Sequence, residues 1–348
     1  AQWMMIKRKY TYNHTFTTEC GYTFESIDIC YHISDESIPP CKKVIWITHA
    51  LTANSDPSDW WEGVVGKNKI LDTDRYTIIC ANVLGSCYGS TGPASISDNG
   101  KPLLMDFPKL TIRDIVAQME ILAAAIGVKE IELLVGGSVG GFQAIEWAYS
   151  FKENGVVDIK RVALIATNAR ITPWGVAFNE SQRMALFADN SFAEAMDING
   201  GKRGLAAARS IALISYRSYG GYCAAQADED EDSLFNHRCV SYQRYQGKKL
   251  ADRFDAYSYL SMINLTDSHN IGRGRGGVKR ALANIDIPVL CIGIDSDCLF
   301  PPAEMKLLAS MLPLGEYKEI SSLYGHDGFL LENEQIEKLI KDFVFTVI

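Results

Sequence analysis

The sequence predicts an α/β fold, a mostly parallel central sheet with an inserted helical lid, on three observations. Short apolar runs rich in β-branched residues recur at 44–48, 76–81, 131–135, 162–166 and 289–294. Segments with helical spacing, such as 111–126 and 142–149, lie between them, and continuous apolar strands are what a sheet covered on both faces requires. From about 168 to 284 the strand signals vanish, and the chain turns helical, charged and rich in Ala, Arg and Tyr. A chain of 348 residues also exceeds the size at which one core stops growing. The expected division is therefore a first core part at 1–168, a helical lid at 169–284 and a second core part at 285–348.

Composition narrows the function. No apolar run approaches the roughly 20 residues needed to span a bilayer. The N-terminal stretch lacks an apolar segment after its basic residues, so no signal peptide is expected and a cytoplasmic location is. Nine cysteines without a Cys-x-x-Cys pair argue against a disulfide framework or a zinc cluster, and no metal or cofactor is expected. A net charge of −8 and the lack of a basic block argue against nucleic acid as partner. The acidic tract at 228–232 reads as a solvated loop.

The strongest chemical signal is Gly136-Gly137-Ser138-Val139-Gly140, a Gly-x-Ser-x-Gly string between an expected strand and an expected helix. That is the nucleophile elbow of α/β-hydrolases, a turn too tight for side chains two residues before or after the serine. An elbow serine needs an acid and then a histidine later in the chain. Asp295 and Asp297 both follow the run 289–294, and spacing alone leaves them as alternatives; His326 is the only histidine beyond them. His49 follows the run 44–48, where this fold donates the first oxyanion-hole N–H, which assigns that role to the backbone of Leu51 and Val139. His14, His32, His237 and His269 read as surface or packing residues. The string Gly272-Arg273-Gly274-Arg275-Gly276-Gly277 matches a dinucleotide fingerprint in letters but follows no strand. It is expected to be a flexible basic loop near the entrance, with attraction of an anionic substrate as a hypothesis.

This machinery alone serves esterases, peptidases and acyltransferases alike. The wider sequence is more specific. His49-Ala50-Leu51-Thr52, Trp60-Trp61, Cys87-Tyr88-Gly89-Ser90-Thr91-Gly92-Pro93, Asp106-Phe107-Pro108, Thr111-Ile112-Arg113-Asp114, the elbow followed by Gln143-Ala144, and Arg253-Phe254-Asp255 together resemble homoserine O-acetyltransferases over nearly the whole chain. The resemblance implies acetyl-CoA as co-substrate, L-homoserine as acceptor, an entry step to methionine, and a homodimer formed through the lid helices. It implies Ser138 as nucleophile, His326 as base and Asp297, over Asp295, as orienting acid. It also implies Arg209, with Tyr216 one helical face along, as the clamp for the acceptor carboxylate, and Asp327 as partner of its ammonium. The sequence departs from the family at Val139, where methionine is usual, and in a lid stretch (208–216) without the histidine often found there. A succinyl donor, a serine acceptor, or an esterase-type hydrolase with the same triad are the competing readings.

Overall fold

The computed structural model of the chain describes residues 4–345. Eight strands form one sheet: β1 (Ile6–Tyr12), β2 (Ile27–Ile33), β3 (Lys43–Thr48), β4 (Tyr76–Ala81), β5 (Leu133–Gly137), β6 (Val162–Ile165), β7 (Val289–Ile294) and β8 (Gly315–Ile320). Their order is β1-β2-β4-β3-β5-β6-β7-β8, and every pairing from β4 to β8 is parallel. Only β1 with β2 and β2 with β4 run antiparallel.

The inner strands read as unbroken apolar runs because both faces are covered. On β3, Val44 and Trp46 point into one apolar cluster and Ile45 and Ile47 into the other; Leu134 opposes Leu133 and Val135 in the same way on β5. Trp46 meets Trp147 edge to face in the first cluster, with 5.2 Å between ring centroids. β1 and β8, at the sheet's two edges, instead carry several charged residues, with half-buried and exposed positions in alternation through most of each strand, which blunts them against pairing with another chain. Those charges hid them from a search for apolar runs. The run expected at 131–135 is interrupted at Glu132, whose carboxylate pairs with Arg161 and Lys43, so the strand resumes at Leu133.

Two helices flank the sheet and set up the site. Helix α1 (Ile112–Ile126) begins at a capping box, in which Thr111 and Asp114 satisfy each other's backbone N–H groups, and ends on the left-handed Gly127. Helix α2 (Val139–Asn154) starts directly at the residue after Ser138. Between β6 and β7 the chain runs through seven helices: α3 (Pro173–Phe187), α4 (Asn190–Glu194), α5 (Lys202–Ser215), α6 (Tyr219–Ala225), α7 (Arg238–Arg253), α8 (Ala256–Asp267) and α9 (Val278–Ala283). Helix α10 (Pro302–Met311) lies between β7 and β8, and helix α11 (Asn333–Phe345) follows β8.

The turn from β5 into α2 explains its glycines. A Cβ on Gly136 would sit 2.3 Å from the carbonyl oxygen of Gly140, and one on Gly140 would sit 2.2 Å from that of Thr48. Backbone cannot swing aside as a flexible side chain does. We therefore expect Gly140→Ala to cost about 2 kcal/mol or more, by forced overpacking. Thermal denaturation should show a Tm several degrees lower, while Gly220→Ala, placed in open space, leaves it unchanged.

Candidate active site

Ser138 sits at the tip of the turn with φ 54° and ψ −123°, a left-handed conformation rare for a residue with a Cβ. Its surroundings hold it there. The Ser138 N–H donates to the Ile165 carbonyl at 2.9 Å, and its own carbonyl accepts from Gly141 N–H and Thr167 Oγ1, both at 2.9 Å. Thr48 Oγ1 donates to the Gly140 carbonyl at 2.6 Å, lashing the turn to the end of β3.

The chain brings Asp297 and His326 to the same end of the sheet. Asp297 lies in the loop after β7, and its Oδ1 accepts the N–H groups of Leu299 and Phe300 at 2.9 Å each. Its Oδ2 meets His326 Nδ1 at 2.8 Å. Because an ionised carboxylate only accepts, the imidazole proton sits on Nδ1, leaving Nε2 as the basic nitrogen. The His326 ring, 2% exposed, is packed by Phe300, Phe329 and Tyr216, with centroids 5.2 to 5.9 Å away. Asp295, the alternative on spacing, is occupied elsewhere: its carboxylate accepts Ser321 Oγ and Ser322 N–H, bracing the strand end.

Ser138 and His326 both line a cavity of about 190 Å³, together with Leu51, Arg209, Tyr216, Arg253 and Asp327. A smaller chamber of about 50 Å³ beside it is lined by Ser138, Leu51, Val139, Phe142 and Phe300 among others. The Leu51 N–H has no acceptor among the described residues, and that of Val139, at the first position of α2, precedes the helix's first internal bond. Two free N–H groups beside a serine are what an oxyanion requires. Buried His49 shapes this loop. Its Nε2 accepts Val83 N–H at 3.1 Å, which puts the proton on Nδ1, facing the Ala50 carbonyl at 2.8 Å. Burial lowers its pKa to about 4, so it is a neutral brace at physiological pH.

The cavity's charged groups divide into engaged and unengaged. Arg209, on α5, makes no ion pair or hydrogen bond among the described residues; its guanidinium lies 5.4 Å from the centre of the Tyr216 ring. Asp327, next to His326, is already ion-paired to Arg217, whose Nη2 donates to Tyr242 Oη at 3.0 Å. Arg253 donates to the Thr52 carbonyl at 2.8 Å and to Tyr88 Oη at 2.7 Å, tying α7 to the loop that carries Leu51. Sequence reasoning missed the parts played by Arg217 and Arg253. Arg217 directly follows Tyr216, and Arg253 stands in one of the motifs that carried the resemblance, but no linear signal tells a bracing arginine from a solvated one.

The Gly272–Gly277 segment corrects an expectation. Arg273 pairs with Glu19 at 2.7 Å, while Arg275 pairs with Glu146 at 2.5 Å and covers the Tyr149 ring at 3.8 Å. Both guanidinium groups are spent on fixing the segment, and neither lines the Ser138 cavity. It is a tethered turn and not a flexible basic loop at the entrance.

The order of the strands and the strained serine turn between β5 and α2 define an α/β-hydrolase, and the chain belongs to that family: the alpha/beta hydrolase fold model matches residues 43–333. Within it, this chain is a member of the homoserine O-acetyltransferase family. It is 42% identical over 326 residues to the homoserine O-acetyltransferase of Cyclobacterium marinum, spanning 93% of this chain and 91% of that protein. The crystal structure of homoserine O-acetyltransferase from Bacillus anthracis superposes with a TM-score of 0.89 at 22% identity, covering 99% of this chain and 98% of that one. Esterase E22 superposes almost as closely, with a TM-score of 0.87 at 23% identity and coverage of 98% and 100%. At such identities the likeness is one of fold, which carries ester hydrolysis and acyl transfer alike.

We expect Asp297→Asn to leave the fold intact while dropping kcat by about 10⁴-fold, because an amide no longer fixes the Nδ1–H tautomer of His326. Steady-state acyl-transfer kinetics beside a circular dichroism spectrum would check this. A loss of tenfold or less would mean that the Asp297 contact does not orient the base.

Proposed function

We propose that the protein transfers the acetyl group of acetyl-CoA to the hydroxyl of L-homoserine, giving O-acetyl-L-homoserine for methionine biosynthesis, by a ping-pong route. Beyond family membership, one observation carries this reading: an unengaged guanidinium, Arg209, and a carboxylate, Asp327, line the same small cavity as Ser138. A simple ester needs neither group, whereas an amino acid acceptor presents a charged partner to each.

In the first half, His326 Nε2 takes the Ser138 Oγ proton as the oxygen attacks the thioester carbonyl. The Leu51 and Val139 N–H groups receive the developing oxyanion. The C–S bond breaks, the proton passes from His326 to the departing thiolate, and CoA leaves an acetyl-serine. In the second half, homoserine enters with its carboxylate on Arg209, beside Tyr216, and its ammonium on Asp327. His326 removes the γ-hydroxyl proton, the oxygen attacks the acetyl carbon, and the proton returns to Ser138 as the ester departs. Holding the acceptor at both ends is what lets it outrun water, since orientation contributes about 7 to 11 kcal/mol at its ceiling. Burial raises the Tyr216 phenol pKa, so this residue meets the acceptor as a neutral hydroxyl.

We place the enzyme in the cytoplasm as a homodimer. No helix among the described residues is long and apolar enough to cross a membrane. The exposed Tyr219 and Tyr245 on α6 and α7, with Leu234 and Phe235 between the two helices, offer the lid an apolar face for a second copy.

The test is CoA release with acetyl-CoA or succinyl-CoA, each with L-homoserine, L-serine or no acceptor. We expect release that depends on acetyl-CoA and homoserine, vanishes in Ser138→Ala, and comes from a dimer by light scattering. Equal release without acceptor would make the protein a hydrolase, and preference for another donor or acceptor would overturn the assigned substrates. Discrimination by one methylene is worth only about 1 to 3 kcal/mol, so rates with all pairs must be compared quantitatively.

A further inference from the structure

Asp327 reaches the cavity from the short turn Gly325–Asp327 that also carries His326, so any error in its orientation is an error in where the acceptor's ammonium sits relative to the base. Its backbone is held: the Asp327 N–H donates to the Tyr216 carbonyl at 3.1 Å. Its side chain is held by one residue. Arg217 Nη1 pairs with Asp327 Oδ2, while Oδ1 has no partner among the described residues. Arg217 does not itself line the Ser138 cavity, although the carboxylate it pairs with does.

The grip is anchored on both sides of the lid and core junction. Arg217 Nη2 donates to Tyr242 Oη on α7 at 3.0 Å, and the Tyr242 ring packs edge-on against Tyr222 of α6 at 6.0 Å. The Arg217 backbone abuts Gly325: a Cβ on that glycine would lie 2.6 Å from the Arg217 carbonyl carbon. Cys298, the neighbour of Asp297, directs its Sγ to the Arg217 carbonyl at 3.7 Å. The lid segment that follows α5 therefore touches the loops of both Asp297 and His326. A planar guanidinium with donors in a fixed fork suits this task, since it can hold a carboxylate and a phenol at once in one geometry.

Resting on the acetyl transfer and acceptor clamp described above, we propose that Arg217 is a positioning residue for acceptor specificity. It turns Asp327 so that the free Oδ1 faces the cavity and receives the acceptor's ammonium, while Oδ2 stays paired with Arg217. The acceptor then docks with its γ-hydroxyl in line with the acetyl-serine. An acceptor without an α-ammonium gains nothing from this arrangement, so Arg217 contributes to choosing an amino acid over water or a plain hydroxy acid. The first half-reaction does not use it, because no ammonium is then present.

The test uses the full chain and its Arg217→Gln, Arg217→Lys and Tyr242→Phe variants, each checked for an unchanged thermal transition. Three quantities are read: the burst of CoA on mixing with acetyl-CoA alone, the ratio of O-acetylhomoserine to acetate formed, and the preference for L-homoserine over 4-hydroxybutanoate. We expect Arg217→Gln to keep the burst within twofold, to lower the transfer ratio at least tenfold and to lose most of the preference for homoserine. Arg217→Lys and Tyr242→Phe should fall between, as each keeps part of the fork. A transfer ratio within twofold of the unmodified protein would overturn the inference. So would a burst that falls in proportion to transfer, which would mark a general structural role. Absence of any acetyl-CoA burst in the unmodified protein would overturn the ping-pong route through acetyl-Ser138, independently of Arg217.

Discussion

Ser138 holds a positive φ that a residue with a Cβ adopts at a cost of about 1 to 3 kcal/mol, and the site is arranged around keeping it there. The strain persists because its neighbours allow no alternative. Gly136 and Gly140 close on each other and on Thr48 with no room for a methyl group, and the Ser138 backbone is bonded both to Ile165 at the end of β6 and to Thr167 just beyond it. The same close approach brings the end of β3 against the start of α2. That places the loop carrying Leu51 beside the first free N–H of the helix, so the strained serine and the candidate oxyanion donors are one construction.

The second half of the site depends on charge placement. Four charged side chains line or back the cavity near Ser138, and three of them are committed: Asp327 to Arg217, Arg217 also to Tyr242, and Arg253 to the Leu51 loop. Arg209 alone, among the described residues, has only an aromatic ring for company. A half-buried guanidinium without a carboxylate is costly unless a ligand supplies the anion. Esterase E22 has nearly the same backbone. What makes a transferase of such a fold, on this reading, is a pair of opposite charges set to hold an acceptor better than water holds itself.

Much of this was legible in the sequence where a residue's role follows from its immediate neighbours. The elbow is such a case, since its glycines, its strand and its helix adjoin Ser138. Most inner strands announced themselves as apolar runs because both faces are buried; β2 did not, because Asp28 and His32 interrupt its run, and β1 did not, because Lys7, Arg8 and Lys9 lie along an edge. Spacing could not separate Asp297 from Asp295; the family resemblance favoured Asp297, and the fold shows it meeting His326 while Asp295 braces Ser321 and Ser322. The basic Gly272–Gly277 segment misled for a related reason. Its charge is plain in one dimension, but its partners Glu19 and Glu146 lie more than a hundred residues away and cancel it. Arg217 and Arg253 were obscure on the same ground, as bracing is a property of pairs.

On the proposed ping-pong route Ser138 carries the acetyl group between donor and acceptor. Mixing the protein with acetyl-CoA alone, quenching in acid and locating any added acetyl group by peptide mass spectrometry would test this. We expect one acetyl group on the peptide containing Ser138, discharged as O-acetyl-L-homoserine when homoserine is added before the quench. Formation of O-acetyl-L-homoserine with Ser138 unmodified throughout would contradict it, and would mean direct transfer between two substrates bound together.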